Sequence, residues 1–587
     1  LDGEAVAGYA PIVAVERGGP LPLSFAQQRL WFIDRLEGDS RQYNMPTALK
    51  LSGALDLAAL QGALDGVVAR HEVLRTTYVE VEGTAVQVVQ AAAAVPIERI
   101  DLGALAGPEQ ALRLAQLARA EAAQPFDLAR DLMLRCVLIR LGAAEHALLF
   151  TLHHIAADGW SIGVLVQEFV ALYSGGVQGQ AGRVPVLPIQ YADYAVWQRQ
   201  RLQGEELARQ LDYWRDQLAG LPAVHNLPLD RPRPAQQRFE GARLELGVDA
   251  AVLAGLKALA LGHEASLFML LQAALAVLLS RWSSETDIVL GTPIAGRTHK
   301  DVEPLIGLFV NTLVLRTDLA GNPGFAAVLA QSKARALAAY GHQEVPFEML
   351  VDELKPVRSL SHAPLFQVLF SMKNNEQAVL ELPGLRLAPL QEGYEHAKFD
   401  LQLSAAETAQ GLRLSWLYAT SLFEAASMAR LGAAFGRLLQ GIVAAPDTPI
   451  EQLPLLGADD QALLARWNDT KADFRQACFH HLFEQQAART PDRIAVRFGE
   501  RTLSYRELDL RANQLAQHLR NRGVGPDTPV ALCLERSLDL PLAILGAMKA
   551  GGAYVPLDPA SPDEHLRYIL QDSGASLLLI HGTSAQR

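Results

Sequence analysis

His153-His154-Ile155-Ala156-Ala157-Asp158-Gly159-Trp160 is the stretch from which the rest of this chain is best read. The run before it, residues 147–152 (ALLFTL), is almost wholly apolar and reads as a buried strand, although a buried helix segment fits the same pattern. After it, residues 160–173 carry apolar side chains at 162, 165, 166, 169, 170 and 173, which is one face of a helix. Two adjacent histidines thus stand where a strand ends, shortly before a helix opens. An imidazole in that place can protrude into a cleft while its backbone is held rigid, and histidine is the side chain whose ordinary pKa suits proton transfer near neutrality. A structural reading competes. Asp158 is a favoured residue for capping the helix, Gly159 serves through backbone freedom, and the histidines pack.

The chain has 587 residues, too many for one ordinary core, so two or more domains are expected. Half of the residues are apolar and a fifth charged, the composition of a globular protein. Against 64 acidic residues stand 52 basic ones, a net charge of −12 without a basic run, so nucleic acid is not an expected partner. Cys136, Cys478 and Cys533 are far apart and form no metal-ligand or disulfide pattern. No metal is expected, and a reducing cytoplasm is the natural compartment. The longest apolar stretch, residues 267–280, is too short to span a bilayer, and the N-terminus has no signal pattern, so no membrane is expected.

Taken in order, residues 1–19 read as a linker ending in Gly-Gly-Pro. In residues 21–36 (LPLSFAQQRLWFIDRL) Ser24 caps a first helix. A helix over 55–69 leads to Arg70-His71-Glu72-Val73-Leu74-Arg75-Thr76. Residues 132–140 and 147–152 are two strands, the second delivering His153 and His154. Tyr191, Tyr194 and Trp197 recur at a packing interval on a long helical segment running to about Leu218. Residues 222–234 contain four prolines and mark the crossing between two halves. The second half holds helices over 250–261 and 265–282, a strand over 287–291 and the tight loop GTPIAGR at 291–297. Residues 305–316 (LIGLFVNTLVLR) read as an apolar strand in which Asn311 is the polar exception. A buried amide must find partners, so Asn311 either ties a loop or points into a cleft. A strand over 411–418 and a closing helix over 421–445 follow, then a second linker, residues 451–479. His480-His481 lacks the Asp-Gly and leads straight into a helix, so capping and packing is its expected role.

These motifs together resemble the condensation domains of nonribosomal peptide synthetases. The resemblance rests on HHxxxDGWS at 153–161, SxAQxRLW at 24–31, RHExLRT at 70–76, YxDYAxW at 191–197, IGxFVNT at 306–312, and the segments PLFQVLF at 364–370 and FDLQL at 399–403. Residues 503–508 (LSYREL) and 548–558 (MKAGGAYVPLD) resemble the first two motifs of adenylation domains. The expected organisation is a linker from an upstream carrier (1–19), a condensation N-lobe (20–220), a C-lobe (221–450), a linker (451–479) and a truncated adenylation N-terminal subdomain (480–587).

The resemblance implies an α/β fold: a two-lobed, chloramphenicol-acetyltransferase-like pseudodimer with the active site between the lobes, followed by a partial α/β adenylation subdomain. It implies an acyltransferase in which the amine of an acceptor aminoacyl-thioester attacks a donor acyl or peptidyl thioester. Both substrates would arrive on 4'-phosphopantetheine arms of an upstream donor carrier and a downstream acceptor carrier. The chain itself is expected to bind no cofactor, and an adenylation domain of the same synthetase is a further partner. The carrier's phosphopantetheine serine and the phosphate loop of adenylation domains are not found in the sequence, so neither substrate loading nor adenylate formation is expected of it.

The implied site comprises His154, which takes the amine proton or holds the amine, with His153 as buried support. Asp158 is anchored by an arginine, Arg75 in preference to Arg70. Gly159 N–H, Asn311 or His154 donates to the oxyanion, and Trp160 lies beside them. Rival readings are an epimerisation-type relative, an acetyltransferase using free coenzyme A, and a catalytically inactive carrier-docking scaffold. A cyclising relative would carry aspartates where the histidines stand.

Overall fold

The computed structural model describes residues 10–38, 41–180, 182–357, 359–373, 380–390 and 396–581. Contacts divide the chain into two compact units, Leu1–Leu463 and Leu464–Arg587.

The larger unit is built on two six-stranded sheets, each with helices packed against it. In the first, the order is Leu380–Leu382, Leu385–Pro389, Asn44–Gly53, Glu145–His153, Leu134–Arg140, Ile97–Asp101. Only the last pairing is parallel. The strand Glu145–His153 lies inside this sheet with Ala147 to His153 all buried, which is why its sequence is apolar without alternation. The second sheet runs Asn311–Asp318, Asp287–Ile294, Val368–Lys373, Leu401–Thr408, Gly411–Ala419, Gly241–Asp249, with both pairings of Val368–Lys373 parallel. Helix Leu267–Ser283 is buried in its core from Met269 to Ser280, so its apolarity belongs to the interior. Among the described residues no single helix is long and apolar enough to cross a membrane.

The two lobes exchange segments, so a cut at residue 220 does not separate them. The hairpin 380–389 pairs with strand Asn44–Gly53 of the first lobe. Val302, Leu305, Ile306, Leu308 and Phe309 also pack in the first lobe's core, beside Leu152 and Ile155. The apolar run read as one strand over 305–316 is therefore two things. Residues 305–310 are irregular, and the strand begins only at Asn311. Burial against the other lobe, rather than a sheet, explains the apolar character of 305–309.

Three further expectations are corrected. The helical segment from Tyr191 breaks into Tyr191–Arg201 and Gly204–Gln217, with Gly204 in the left-handed region at φ 59°. Residues 10–17 pack on the first lobe: Ile12 is buried, Val15 N–H donates to Asp193 (2.8 Å), and Arg17 pairs with Glu72 and Asp193. Residues 1–9 of that segment lie outside the described residues. The stretch 451–479 contains the helix Ala458–Asn468, and Leu453 is buried in the second lobe's core.

The smaller unit carries the hairpin Ile494–Phe498 and Arg501–Ser504, and a parallel sheet ordered Ala553–Leu557, Pro529–Cys533, Leu577–Ile580. Its helix Asp539–Ala550 buries Lys549, whose ammonium reaches Glu484, Asp509 and Asn513.

Candidate active site

Adjacent residues of a strand point to opposite faces, and His153 and His154 share this divergence at the strand's end. His153 is fully buried. Its Nδ1 accepts from Ile155 N–H (3.2 Å), and its ring meets Phe126 edge-on at 5.5 Å. Burial, followed by the charges of His154, Arg135 and Lys398, lowers its pKa to about 3, so it is a neutral, packed group.

His154 is only half-buried, and its backbone N–H is fixed by Tyr43 O at 2.9 Å. Its pKa lies below the ordinary value, first through desolvation and then through the Lys398 ammonium, against the weaker pull of nearby carbonyls and Asp158. Its Nδ1 is buried and makes no hydrogen bond among the described residues.

The turn after His154 is held from beneath by the first motif. Ser24 caps helix Phe25–Glu37 in a reciprocal box with Gln27. The Gln27 amide then donates to Ile155 O (3.2 Å) and Tyr78 Oη (3.1 Å). Ser24 Oγ and Tyr191 Oη lie 2.9 Å apart, and Tyr191 donates to Leu308 O at 2.7 Å. The packing role read for these motifs therefore includes hydrogen bonds that fix the histidine turn and the 305–310 segment.

Asp158 performs both roles that the sequence left open. Its Oδ1 caps helix Gly159–Val177 by accepting Ser161 N–H (2.9 Å), and lies 2.7 Å from Ser161 Oγ. Its Oδ2 accepts the N–H groups of Phe309 (3.0 Å) and Val310 (3.2 Å) from the exchanged segment. The arginine that joins it is Arg297, with Nη2 3.3 Å from Oδ1 and both side chains 2% exposed. This corrects the assignment to Arg75 or Arg70. Arg75 instead donates to Gln90 O and Ala69 O. Arg70 pairs with Glu168 (2.8 Å), which also meets His71 Nε2, while His71 Nδ1 accepts Ile306 N–H. The RHExLRT motif thus braces helix Gly159–Val177 from behind.

Arg297 is fully engaged at its termini. It donates to Leu305 O (2.8 Å) and Val302 O, and its guanidinium lies 4.2 Å from the centre of the Phe309 ring. Gly296 makes its loop possible: it sits at φ 65°, and a Cβ there would fall 1.9 Å from Phe309 O. Trp160, half exposed, straps the same junction by donating from Nε1 to Glu303 O at 3.1 Å.

Gly159 is not there for a special backbone angle. It has no positive φ, and an added Cβ would meet nothing within 4 Å. Its lack of a side chain keeps space open at the helix N-terminus, where first-turn N–H groups have no helical acceptor. Asn311 is a tie. Its amide donates to Gln343 O (2.9 Å) and Val345 O (2.7 Å), and its carbonyl accepts Thr312 and Phe347 N–H. With both donors committed, it is removed from the oxyanion candidates. An open groove adjoins Asn311, Phe309, Trp197 and Arg201, but His154 does not line it.

Ser161, Arg297 and Lys398 were missed by sequence reasoning. Arg297 stood in the noted GTPIAGR loop, but nothing local ranked it above Arg70 or Arg75. Among the described residues, Cys478, His480 and His481 bring three potential metal-ligating atoms within 4.8 Å of one another. Their proximity was not anticipated from cysteine spacing, and arises because Cys478 is the N-cap of helix Phe479–Arg489. The cluster sits at a helix N-terminus, the positive end; desolvation and then His481 lower the His480 pKa, with Lys549 and Arg520 adding to this and Glu484 opposing it.

Residues 18–465 match the Condensation domain family and residues 483–587 the AMP-binding enzyme family. A linear gramicidin synthase polypeptide of Brevibacillus parabrevis is 47% identical over 97% of this chain, which spans 11% of that polypeptide. Malpinin synthetase of Mortierella alpina is 42% identical over 98% of the chain and 7% of its own length. The chain therefore spans about a tenth of these relatives. The X-domain from teicoplanin biosynthesis superposes with a TM-score of 0.69 at 33% identity, over 76% of this chain and all of that one. A four-domain nonribosomal peptide synthetase bound to AMP and glycine gives 0.73 at 27%, over 97% of this chain and 44% of that one. The mixed α/β fold, the paired lobes and these matches agree: the chain belongs to the condensation-domain family of nonribosomal peptide synthetases, acyltransferases that form peptide bonds, and continues into the AMP-binding family.

Proposed function

We propose that residues 20–450 join a donor acyl or peptidyl thioester to the amine of an acceptor aminoacyl thioester, at His154. The observation that carries this reading is His154 itself: a half-buried imidazole just past the strand's end, its pKa lowered first by desolvation, on a backbone fixed by Tyr43. The acceptor nitrogen attacks the donor carbonyl carbon. As the C–N bond forms, the nitrogen's proton passes to Nε2. The C–S bond then breaks, and the proton leaves with the thiolate as a thiol. An α-amine has an ordinary pKa of about 7.7–8.0, so a strong base is not required. General-base help is worth about 10²–10⁴ in rate, and orientation of the two thioesters supplies more. The Gly159 N–H, at an open helix N-terminus, is the donor we assign to the oxyanion.

Asp158 takes no part in proton transfer in this scheme. Its acceptor capacity is already filled by Ser161, Arg297, Phe309 and Val310. It locks the helix start to the exchanged segment and so fixes the distance between Gly159 and the opposite lobe. The substrates are assigned to phosphopantetheine arms of an upstream and a downstream carrier, with no cofactor resident in this chain. The adenylation domain of the same synthetase is the remaining partner. The three free thiols suit the cytoplasm. The test is reconstitution: one donor-loaded and one acceptor-loaded carrier supplied in trans, with the product identified by mass spectrometry. Amide on the acceptor arm is expected. Inversion of a loaded residue without transfer would favour the epimerisation-type reading, and carrier binding without chemistry the docking scaffold.

A further inference from the structure

Four backbone N–H groups of the exchanged segment end on three side chains of the first lobe. Gly307 N–H donates to Ser161 Oγ at 3.1 Å, and Phe309 and Val310 N–H both donate to Asp158. Ser161 and Asp158 belong to the start of helix Gly159–Val177. The fourth group, Ile306 N–H, donates to His71 Nδ1 at 3.3 Å. His71 is fully buried and stands outside that helix, as the residue that ends helix Leu57–Arg70. It nevertheless grips helix Gly159–Val177 further along: its Nε2 lies 2.8 Å from Glu168, which Arg70 also holds at 2.8 Å. A ring nitrogen that accepts carries no proton, so His71 keeps its hydrogen on Nε2 and gives it to the carboxylate. Glu168 thereby sets the tautomer that leaves Nδ1 open to Ile306. Both nitrogens of one buried imidazole are thus spent on two different elements, which is more than packing requires.

We infer that His71 is a positioning residue for condensation: its Nδ1 fixes segment 305–310 against helix Gly159–Val177, and so fixes the Gly159 N–H relative to the opposite lobe. The inference rests on the condensation reading, with Gly159 as the oxyanion donor. Asp158 and Ser161 grip the segment at 307–310, all at the helix N-terminus. Attachment at one place leaves a peptide free to pivot about it, and a second attachment at Ile306 removes that freedom. The segment also has little slack, since a Cβ on Gly307 would fall 2.0 Å from the Tyr191 ring. A shift at Ile306 is therefore passed on to Phe309 and Val310 instead of being absorbed between them. Through Asp158 it reaches the helix start. Misplacing reacting groups by about 1 Å costs up to about 10²-fold in rate, even when the change lies far from the chemistry.

The test separates the two nitrogens. An asparagine amide reaches as far along the side chain as Nδ1, and a glutamine amide as far as Nε2. His71→Asn therefore keeps an acceptor for Ile306 N–H and loses the bond to Glu168, whereas His71→Gln keeps a donor to Glu168 and loses Ile306. The bond to the carboxylate is the stronger of the two, so His71→Asn should have the lower melting temperature. The rates should follow the opposite order. Single-turnover transfer between loaded carriers should fall by about tenfold or more in His71→Gln, at unchanged half-saturating carrier concentrations, and His71→Asn should recover most of that loss. Hydrogen exchange read by mass spectrometry, on the whole chain without substrates, should quicken over 305–310 in His71→Gln and not in His71→Asn. Should His71→Gln fold poorly, His71→Leu, which makes neither bond, replaces it in both measurements. A rate in His71→Asn no higher than in the variant without the Ile306 bond overturns the inference, and so does unchanged exchange over 305–310 in that variant. A native chain that transfers with no carrier pair, while the exchange contrast holds, counts against the condensation reading alone.

Discussion

The chain contains two adjacent histidine pairs, and their surroundings differ at every level. His153-His154 ends a central strand, with one ring packed in the core and the other half-buried. His480-His481 opens a short helix, its rings 4.3 Å apart, with His481 exposed and Lys549 and Arg520 close by. The first pair is surrounded by hydrogen bonds drawn from distant segments: residues 24–27, 43, 297 and 307–310 all act on the turn that follows it. The second has no comparable frame. A dipeptide acquires chemistry when the fold separates its two rings and fixes one of them against a space. The composition of the dipeptide does not do this.

The sharpest way to break this contrast is His154→Ala. Loss of proton acceptance and amine positioning should lower single-turnover transfer by at least about 10²-fold. The melting temperature should change little, since the ring is only half-buried and its Nδ1 makes no hydrogen bond among the described residues. Retention of full turnover, measured with slow substrates, would remove His154 from the reaction.

Asp158→Ala tests the frame. It leaves Arg297 buried and charged without its carboxylate, at a cost of roughly 3–5 kcal/mol, and frees two N–H groups of the exchanged segment. Denaturant unfolding should show that loss together with reduced turnover. Arg297→Met should reproduce much of it, whereas Arg75→Ala should not. Equal losses from Arg75 and Arg297 would contradict the pairing seen here.

Asn311→Ala should act on stability before rate. It removes three bonds to residues 343–347 and one accepted from Thr312 N–H. Buried partners left unmade cost about 1–3 kcal/mol. A turnover loss at unchanged melting temperature would return Asn311 to the cleft.

What the sequence made legible was local. An apolar strand, two histidines and an amphipathic helix are neighbours in the chain, so periodicity and an Asp cap sufficed to place them. The remaining features depend on long-range contact. Arg297 lies far from Asp158 in sequence, and no spacing rule links them. The run 305–310 is apolar because it inserts into the other lobe's core, and apolarity alone cannot distinguish that from a strand. The hairpin 380–389 joins a sheet whose other strands all precede residue 154, so a division by sequence order could not find it.

A smaller, pH-dependent effect separates the two rings of the first pair. The His153 pKa falls to about 3 in the folded state, against an ordinary value near 6.5. Between those values the unfolded chain binds a proton that the folded chain refuses. Folding stability is therefore complete above about pH 6.5 and declines as pH falls towards 3, by up to about 1.4 kcal/mol per pH unit from this group. His153→Asn keeps an acceptor for Ile155 N–H and has no titration there. Its urea midpoint should fall less than that of the native protein between pH 7 and pH 5. Parallel declines would show that His153 is not the group responsible.

The smallest effect is expected at the second pair, and it is the control on which the comparison depends. His480 and His481 face one end of an eleven-residue helix in the smaller unit, and only Ala487 of that helix is buried. His480 has a buried, unpartnered Nδ1, so its removal breaks no hydrogen bond seen from that atom. Exposed substitutions of this kind usually change stability by no more than about 0.5 kcal/mol. The double variant His480→Ala, His481→Ala should therefore transfer at the native rate, with a melting temperature within a few degrees. Adding zinc should change neither quantity in the native chain, because the positive helix end opposes a cation there. A zinc-dependent rise in melting temperature that is lost in the double variant and in Cys478→Ser would give this pair a structural metal role. Even then transfer should be indifferent to it, since no residue assigned to the reaction belongs to that unit. A fall in transfer comparable to that of His154→Ala would show that the frame around the first pair is not what distinguishes a reacting histidine in this chain.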